Sequence, residues 1–277
     1  MVMQPPSTNA FADKVVVITG GALGIGRATA LEFGREGASV TIADVNESPG
    51  RSALAEIESA GGRALLVLAD VARASDCQRV VAETVARFGG VDVLFNNVGI
   101  QPQESYLPLH ETPEEMWDRI LDVNLKSYFL MSKYALPELR RRGGGAIINT
   151  ASVQGLQSQK GVAAYAASKG GVLSLTRQMA LEYAADGIRV LAVCPGTIDT
   201  EMVRASAIRE PDGLEAALRR YGRTHPIGRI GTGQDIANVV LFLASDKASF
   251  MTGEYVCVDG GYMAVGAWAA GAGAHEP

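Results

Sequence analysis

Tyr165 and Lys169 stand four residues apart in GVAAYAASKGGVLSLTRQMALEYA. The periodicity of that stretch predicts a helix, so both side chains project from one face about a turn apart. A tyrosine of pKa near 10 is a poor base at neutral pH, and lowering it by about three units needs roughly 4 kcal/mol of preference for the phenolate. An ammonium at about 4 Å in an effective dielectric of about 20 supplies on the order of 4 kcal/mol. The pair therefore predicts a general acid/base that moves a proton to or from a hydroxyl. Taken alone, Tyr-x-x-x-Lys is a common surface pair, and its surroundings decide. Ser152 ends a β-rich run just upstream, at the carboxyl edge where a crevice opens.

A second constellation lies in VVVITGGALGIG, residues 15–26. A turn that brings bare backbone N–H groups against a pyrophosphate, and starts a helix close to the sheet, has no room for side chains. Here the spacing is TGxxxGxG, in no register GxGxxG, and Gly20, Ala22, Leu23, Gly24, Ile25 and Gly26 are the candidate phosphate contacts. Such a turn is weak evidence until its position is considered: it follows the first strand and opens a helix. Asp44, with Val45 after it, ends the second β-rich run. Its carboxylate can accept from both hydroxyls of an adenosine ribose, whereas a 2′-phosphate meets like charge, so NAD is expected over NADP. No Lys or Arg lies between Thr19 and Gly26, and Arg27 falls inside the helix.

These residues need a frame. Seven β-rich runs, at 14–19, 38–44, 63–70, 91–97, 145–152, 188–196 and 254–261, alternate with helical segments. The runs are apolar on successive residues, as parallel strands covered on both faces are. Repeated βα units predict an α/β, Rossmann-like doubly wound seven-stranded parallel sheet with helices on both faces, and ligands at the carboxyl ends of the strands. One domain over 13–263 is expected, after a flexible segment 1–12 and before an Ala/Gly-rich tail 264–277 that has little to pack unless Trp268 docks on a neighbouring subunit. The connection 197–232 is too long for a plain αβ loop and predicts either a lid or an inserted helical pair. Arg140, Arg141 and Arg142 before Gly143 read as a solvated helix end.

Composition narrows the function. With 25 basic and 30 acidic residues and no long charge run, nucleic acid is not an expected partner. Three separated cysteines and three scattered histidines predict neither disulfides nor a metal site. No secretion signal and no apolar run of spanning length is present, which predicts a cytoplasmic protein without a membrane partner.

TGGALGIG, NNVG (96–99), Asn124, Ser152, YAASK and PGTIDT (195–200) follow one another in an order that resembles the short-chain dehydrogenase/reductase family, from about residue 12 to about 263. The resemblance implies an NAD-dependent oxidoreductase of secondary alcohols and ketones. It gives Tyr165 the acid/base role and Lys169 the lowering of the tyrosine pKa and a hold on the nicotinamide ribose. Ser152 then holds the substrate oxygen, and Asn124 anchors a water-mediated proton relay. Asp70 and Val71 match the pair at the adenine, and Asn97 and Gly99 the turn beside the adenosine ribose. Ile198 and Thr200, after Pro195 and Gly196, match the residues at the nicotinamide carboxamide. Val98 departs from the family's usual alanine. The small residues of the Tyr165 helix resemble those at a relative's dimer face, implying a homotetramer; packing within the chain would use them equally well.

Substrate choice is expected in 100–112, 154–160 and 197–232. Gln101, Gln103, Gln154, Gln157 and Gln159 suit a sugar or polar cyclic alcohol, while Tyr106, Leu107, Leu156, Met202 and Val203 suit an apolar pocket. A 3-oxoacyl-thioester reductase and a hydroxysteroid dehydrogenase are the alternatives within the family. From another class stands an NAD-sensing regulator, which the complete catalytic set argues against. An epimerase or lyase would need a longer chain beyond residue 200.

Overall fold

The computed structural model describes residues 9–266. Among these, seven strands form one parallel sheet: β1 (Val15–Thr19), β2 (Ser39–Asp44), β3 (Arg63–Leu68), β4 (Val93–Asn96), β5 (Gly145–Thr150), β6 (Ile188–Pro195) and β7 (Tyr255–Val258). Their order is β3-β2-β1-β4-β5-β6-β7. Successive apolar residues divide between two cores: Val16 and Ile18 face one and Val17 the other. The first core is closed by α1 (Gly24–Arg35), α2 (Glu47–Ser59) and α9 (Gly233–Ala244). The second is closed by α3 (Ala74–Phe88), α5 (Ser127–Arg141) and α6 (Ala163–Tyr183). Strand order reverses between β1 and β4, and the crevice opens there, beyond their carboxyl ends.

α4 (Glu114–Leu121) runs into α5 through a π turn, Asp122–Lys126, with Asn124 at its middle. The extra residue of a π turn re-aims a side chain without ending the helix. The long connection takes the helical-pair form, α7 (Glu201–Ala207) and α8 (Leu214–Arg223). Its ends are pinched together, Asp199 N–H donating to Gly231 O at 2.8 Å and Gly231 N–H to Thr197 O at 2.8 Å. The pair is thus an excursion over the crevice on a closed base.

Two sequence expectations need correction. Phe11 is buried and meets Phe33 edge-on, so the packed chain begins before residue 13. The arginine run is more than a solvated end: Arg142 forks onto Asp92 through Nε and Nη2, each at 3.0 Å. Asp92 Oδ2 also accepts from Val15 N–H at 2.8 Å, clamping the starts of β1 and β4 to the end of α5. Trp268 and the rest of the tail beyond 266 lie outside the described residues. Among the described residues no helix is long and apolar enough to cross a membrane, and no group of three or more His, Cys, Asp or Glu is placed to hold a metal ion.

Candidate active site

The glycine-rich turn is held from behind by the end of β4. Thr19 Oγ1 accepts from the N–H groups of Asn97 (3.0 Å) and Val98 (3.2 Å), and Asn97 Nδ2 donates to the carbonyls of Thr19 and Gly20 (3.2 Å each). Gly20 needs its positive φ of 66° to make the turn. α1 then starts at Gly24 with no side-chain cap at Leu23 and no acidic residue in its first turn. That leaves the free N–H groups and positive end of a three-turn helix facing a cavity of about 440 Å³, to which Gly20, Leu23, Gly24 and Ile25 contribute. A dinucleotide's phosphates fit this cradle.

Asp44 lies on the wall of the same cavity, 7% exposed. Its Oδ2 accepts from Ala22 N–H at 3.0 Å, and its Oδ1 from Asn46 N–H and Nδ2 at 2.9 Å each. The carboxylate is therefore oriented before any ligand arrives. Arg27 pairs with Glu56, and among the wall residues at this end, Val45, Asn46, Asp70 and Val71, none is basic.

Two expected phosphate contacts are displaced. Ala22 is fully buried and its N–H is engaged by Asp44, and neither Ala22 nor Gly26 reaches the cavity wall. Gly26 matters for packing instead: a methyl there would overlap the Gly20 carbonyl oxygen and press on Asn97 Nδ2. Gly26→Ala is expected to lower stability by about 2–3 kcal/mol and to remove the thermal upshift given by dinucleotide. A variant that kept that upshift would show the loop adjusts freely.

At the cavity's other end stand Thr150, Ser152, Tyr165, Lys169, Gly99, Pro195, Gly196 and Ile198, while Thr200 lies against Gly24 of the turn. Ser152 Oγ accepts from Gln154 N–H at 3.1 Å, and its hydroxyl also bears on the Tyr165 phenol. Lys169 Nζ donates to Thr150 O at 2.7 Å and sits 5.7 Å from the Tyr165 ring centre. Burial pushes the Tyr165 phenol up to about 12, with the Ser152 hydroxyl drawing it partly back, and pulls Lys169 down to about 7. This corrects the sequence arithmetic for the ligand-free chain. Burial draws down the ammonium's own charge at neutral pH, and desolvation of the phenol outweighs what remains.

Asn124 does not reach the cavity wall. Its Oδ1 accepts from Ile100 N–H at 2.7 Å, and its Nδ2 donates to Ile100 O at 2.9 Å and to Ser168 Oγ at 3.3 Å. It pins the chain after β4 to α6, the helix that carries Tyr165 and Lys169. Sequence reasoning passed over three other participants. Thr150 supplies the carbonyl for Lys169; Tyr128 is fully buried with its hydroxyl between Val98 O (3.0 Å) and Thr150 O (3.1 Å); Arg119 lies on the cavity wall. A buried tyrosine near Lys169 had no sequence signal beyond its place on the helix of Asn124. Val98 lines the cavity and packs its side chain into the second core, so the added carbons have a place.

A family model described as enoyl-(acyl carrier protein) reductase matches residues 20–263. Cyclohexanol dehydrogenase of Acinetobacter sp. is 40% identical over 94% of this chain and 99% of its own length. Cis-4-hydroxycyclohexanecarboxylate dehydrogenase of Sinomonas cyclohexanicum is 42% identical over 92% and 99%. The chain belongs to the short-chain dehydrogenase/reductase family. Aldohexose dehydrogenase of Thermoplasma acidophilum shares the fold with a TM-score of 0.84 and 36% identity, over 94% of this chain and 97% of that one. As a member, the chain is an oxidoreductase acting on CH–OH groups.

Proposed function

We propose that the chain is an NAD-dependent oxidoreductase interconverting a secondary alcohol and its ketone, on a sugar or other polar cyclic alcohol. One observation carries this reading: a single cavity has the oriented Asp44 carboxylate at one end and Ser152, Tyr165 and Lys169 at the other. The relatives named for ring alcohols and for an aldohexose support the substrate class.

Bound in this cavity, the dinucleotide would supply the hydride acceptor or donor and, when oxidised, a positive ring charge. Gly20, Leu23, Gly24 and Ile25 would hold its phosphates, Asp44 and Val45 the adenosine ribose, and Asp70 and Val71 the adenine. Asn97 would line the same ribose; Gly99 lies against Lys169 Nζ at the other end and would line the nicotinamide side instead, with Pro195, Gly196, Ile198 and Thr200 at the carboxamide. Ser152 Oγ–H then donates to the substrate oxygen while Tyr165 takes the hydroxyl proton in oxidation and returns it in reduction. Lys169, seated on Thr150 O, would favour the phenolate form of that tyrosine through its charge, and Asn124 fixes the strand end beside it.

The test is NADH formation from NAD across sugars, polyols, cyclic alcohols, hydroxysteroids and 3-hydroxyacyl esters. A response confined to steroids or acyl esters, or silence with NAD bound, would overturn it. For the cofactor, NAD is expected to be preferred over NADP by about a hundredfold in kcat/KM, because a 2′-phosphate would face the Asp44 carboxylate. In Asp44→Ser that preference should shrink at least about tenfold; equal use of both cofactors by the wild type would remove Asp44 from this role. The same reading takes the protein as a cytoplasmic homotetramer. Three free thiols suit a reducing compartment, and exposed Phe129, Leu181 and Phe250 suit self-association.

A further inference from the structure

A second cavity of about 410 Å³ shares Ser152 and Tyr165 with the first and extends away from it beneath α7 and α8. Of the five glutamines in the substrate loops, Gln157 and Gln159 are exposed on its rim and Gln103 does not reach it. Gln101 and Gln154 differ. Each lines this cavity, and each holds one fully buried amide atom with no protein partner: Nε2 of Gln101, a donor, and Oε1 of Gln154, an acceptor. A buried amide group left unpaired costs about 1–3 kcal/mol, so each of these two side chains at the cavity wall calls for a partner.

Both are positioned through the chain beside Ser152 and Asn124. Gln154 N–H is bonded to Ser152 Oγ, which places its side chain on the short turn beginning at the catalytic serine. Gln101 follows Ile100, whose N–H and carbonyl are both held by Asn124. Glu210, the carboxylate on this cavity, is already engaged by Tyr221 Oη at 2.9 Å and Arg220 Nη2 at 2.7 Å, so it does not compete.

We propose that Gln101 and Gln154 form a subsite for a second oxygen of the substrate, a hydroxyl beyond the carbinol carbon that reacts. A hydroxyl accepts and donates at once, which matches one free amide donor and one free amide acceptor. This rests on the alcohol-oxidising reading above and narrows its substrate to diols, polyols and sugars. A site with buried polar groups built for a hydroxyl rejects the analogue lacking it far more strongly than an apolar pocket rejects a missing methylene.

The test compares cyclohexanol with the cyclohexanediols in two readouts: kcat/KM with NAD, and binding to the dinucleotide-loaded chain by calorimetry. The best diol is expected to exceed cyclohexanol by about a hundredfold or more in kcat/KM. In Gln101→Leu and Gln154→Leu the diol-to-cyclohexanol ratio should fall at least about tenfold in both readouts. Turnover of both alcohols at similar rates, or variants that slow both equally, would overturn the subsite and leave the oxidoreductase reading intact. Tight diol binding that the variants abolish, without turnover of either alcohol, would keep the subsite and overturn the reaction.

Discussion

Tyr165→Phe is expected to lower kcat/KM by about a thousandfold while changing dinucleotide affinity no more than a few fold. Phenylalanine keeps the ring and its packing on α6 but has no group to exchange the alcohol proton. No neighbour replaces it: Lys169 already donates to Thr150 O, and Glu210 is engaged by Arg220 and Tyr221. The pH dependence carries more information than the loss. In the ligand-free chain burial holds the phenol up at about 12, so almost none of it is a base at neutral pH. A charge arriving in the cavity must draw it down before it can act. The alcohol's kcat/KM at saturating NAD should therefore titrate well below 12, whereas the Tyr165 phenol of the ligand-free chain, read by ultraviolet difference against Tyr165→Phe, should titrate near 12. Coincident midpoints would show that the bound state does not tune the tyrosine. Near-normal turnover in Tyr165→Phe would remove it from the chemistry.

The strands were legible in the sequence because a strand covered on both faces must be apolar throughout, and the seven runs could hardly be anything else in a chain of βα units. The ends of those strands were legible for the same reason: Asp44, Asn97, Ser152 and Pro195 interrupt the apolar runs where the crevice opens. What did not read was anything set by three-dimensional contact. Spacing groups Gly26 with the phosphate contacts because it cannot distinguish a glycine facing a ligand from one facing a carbonyl, here that of Gly20. Arg142 resembled its two neighbours until Asp92, fifty residues away, proved to be its partner. Spacing put an ammonium beside a phenol, but spacing contains no desolvation, and desolvation decides both protonation states.

Lys169→Met is expected to abolish turnover yet make the ligand-free chain more stable at neutral pH. Lys169 is 2% exposed and its pKa is pulled down by burial to about 7, against 10.5 when unhindered. Between those values the unfolded chain holds a proton that the folded chain lacks, so wild-type stability rises with pH across the window. Below about pH 7 the penalty of burying the charge is present in full. At pH 7 the difference is on the order of 4 kcal/mol. Methionine fills the same volume without it. The loss is the bond to Thr150 O, worth roughly 1–2 kcal/mol; that carbonyl keeps the Tyr128 hydroxyl at 3.1 Å and is not orphaned. A net gain of about 2 kcal/mol corresponds to roughly 5 °C in a chain of this size. Thermal melts at pH 7 and pH 10 read it: the variant should lead at pH 7, and the gap should close or reverse near pH 10. A variant destabilised equally at both would mean that the lysine is structural. If the gap follows pH as expected, the fold is retaining a buried cation at a cost to its own stability, and the reason lies in what that cation does to Tyr165.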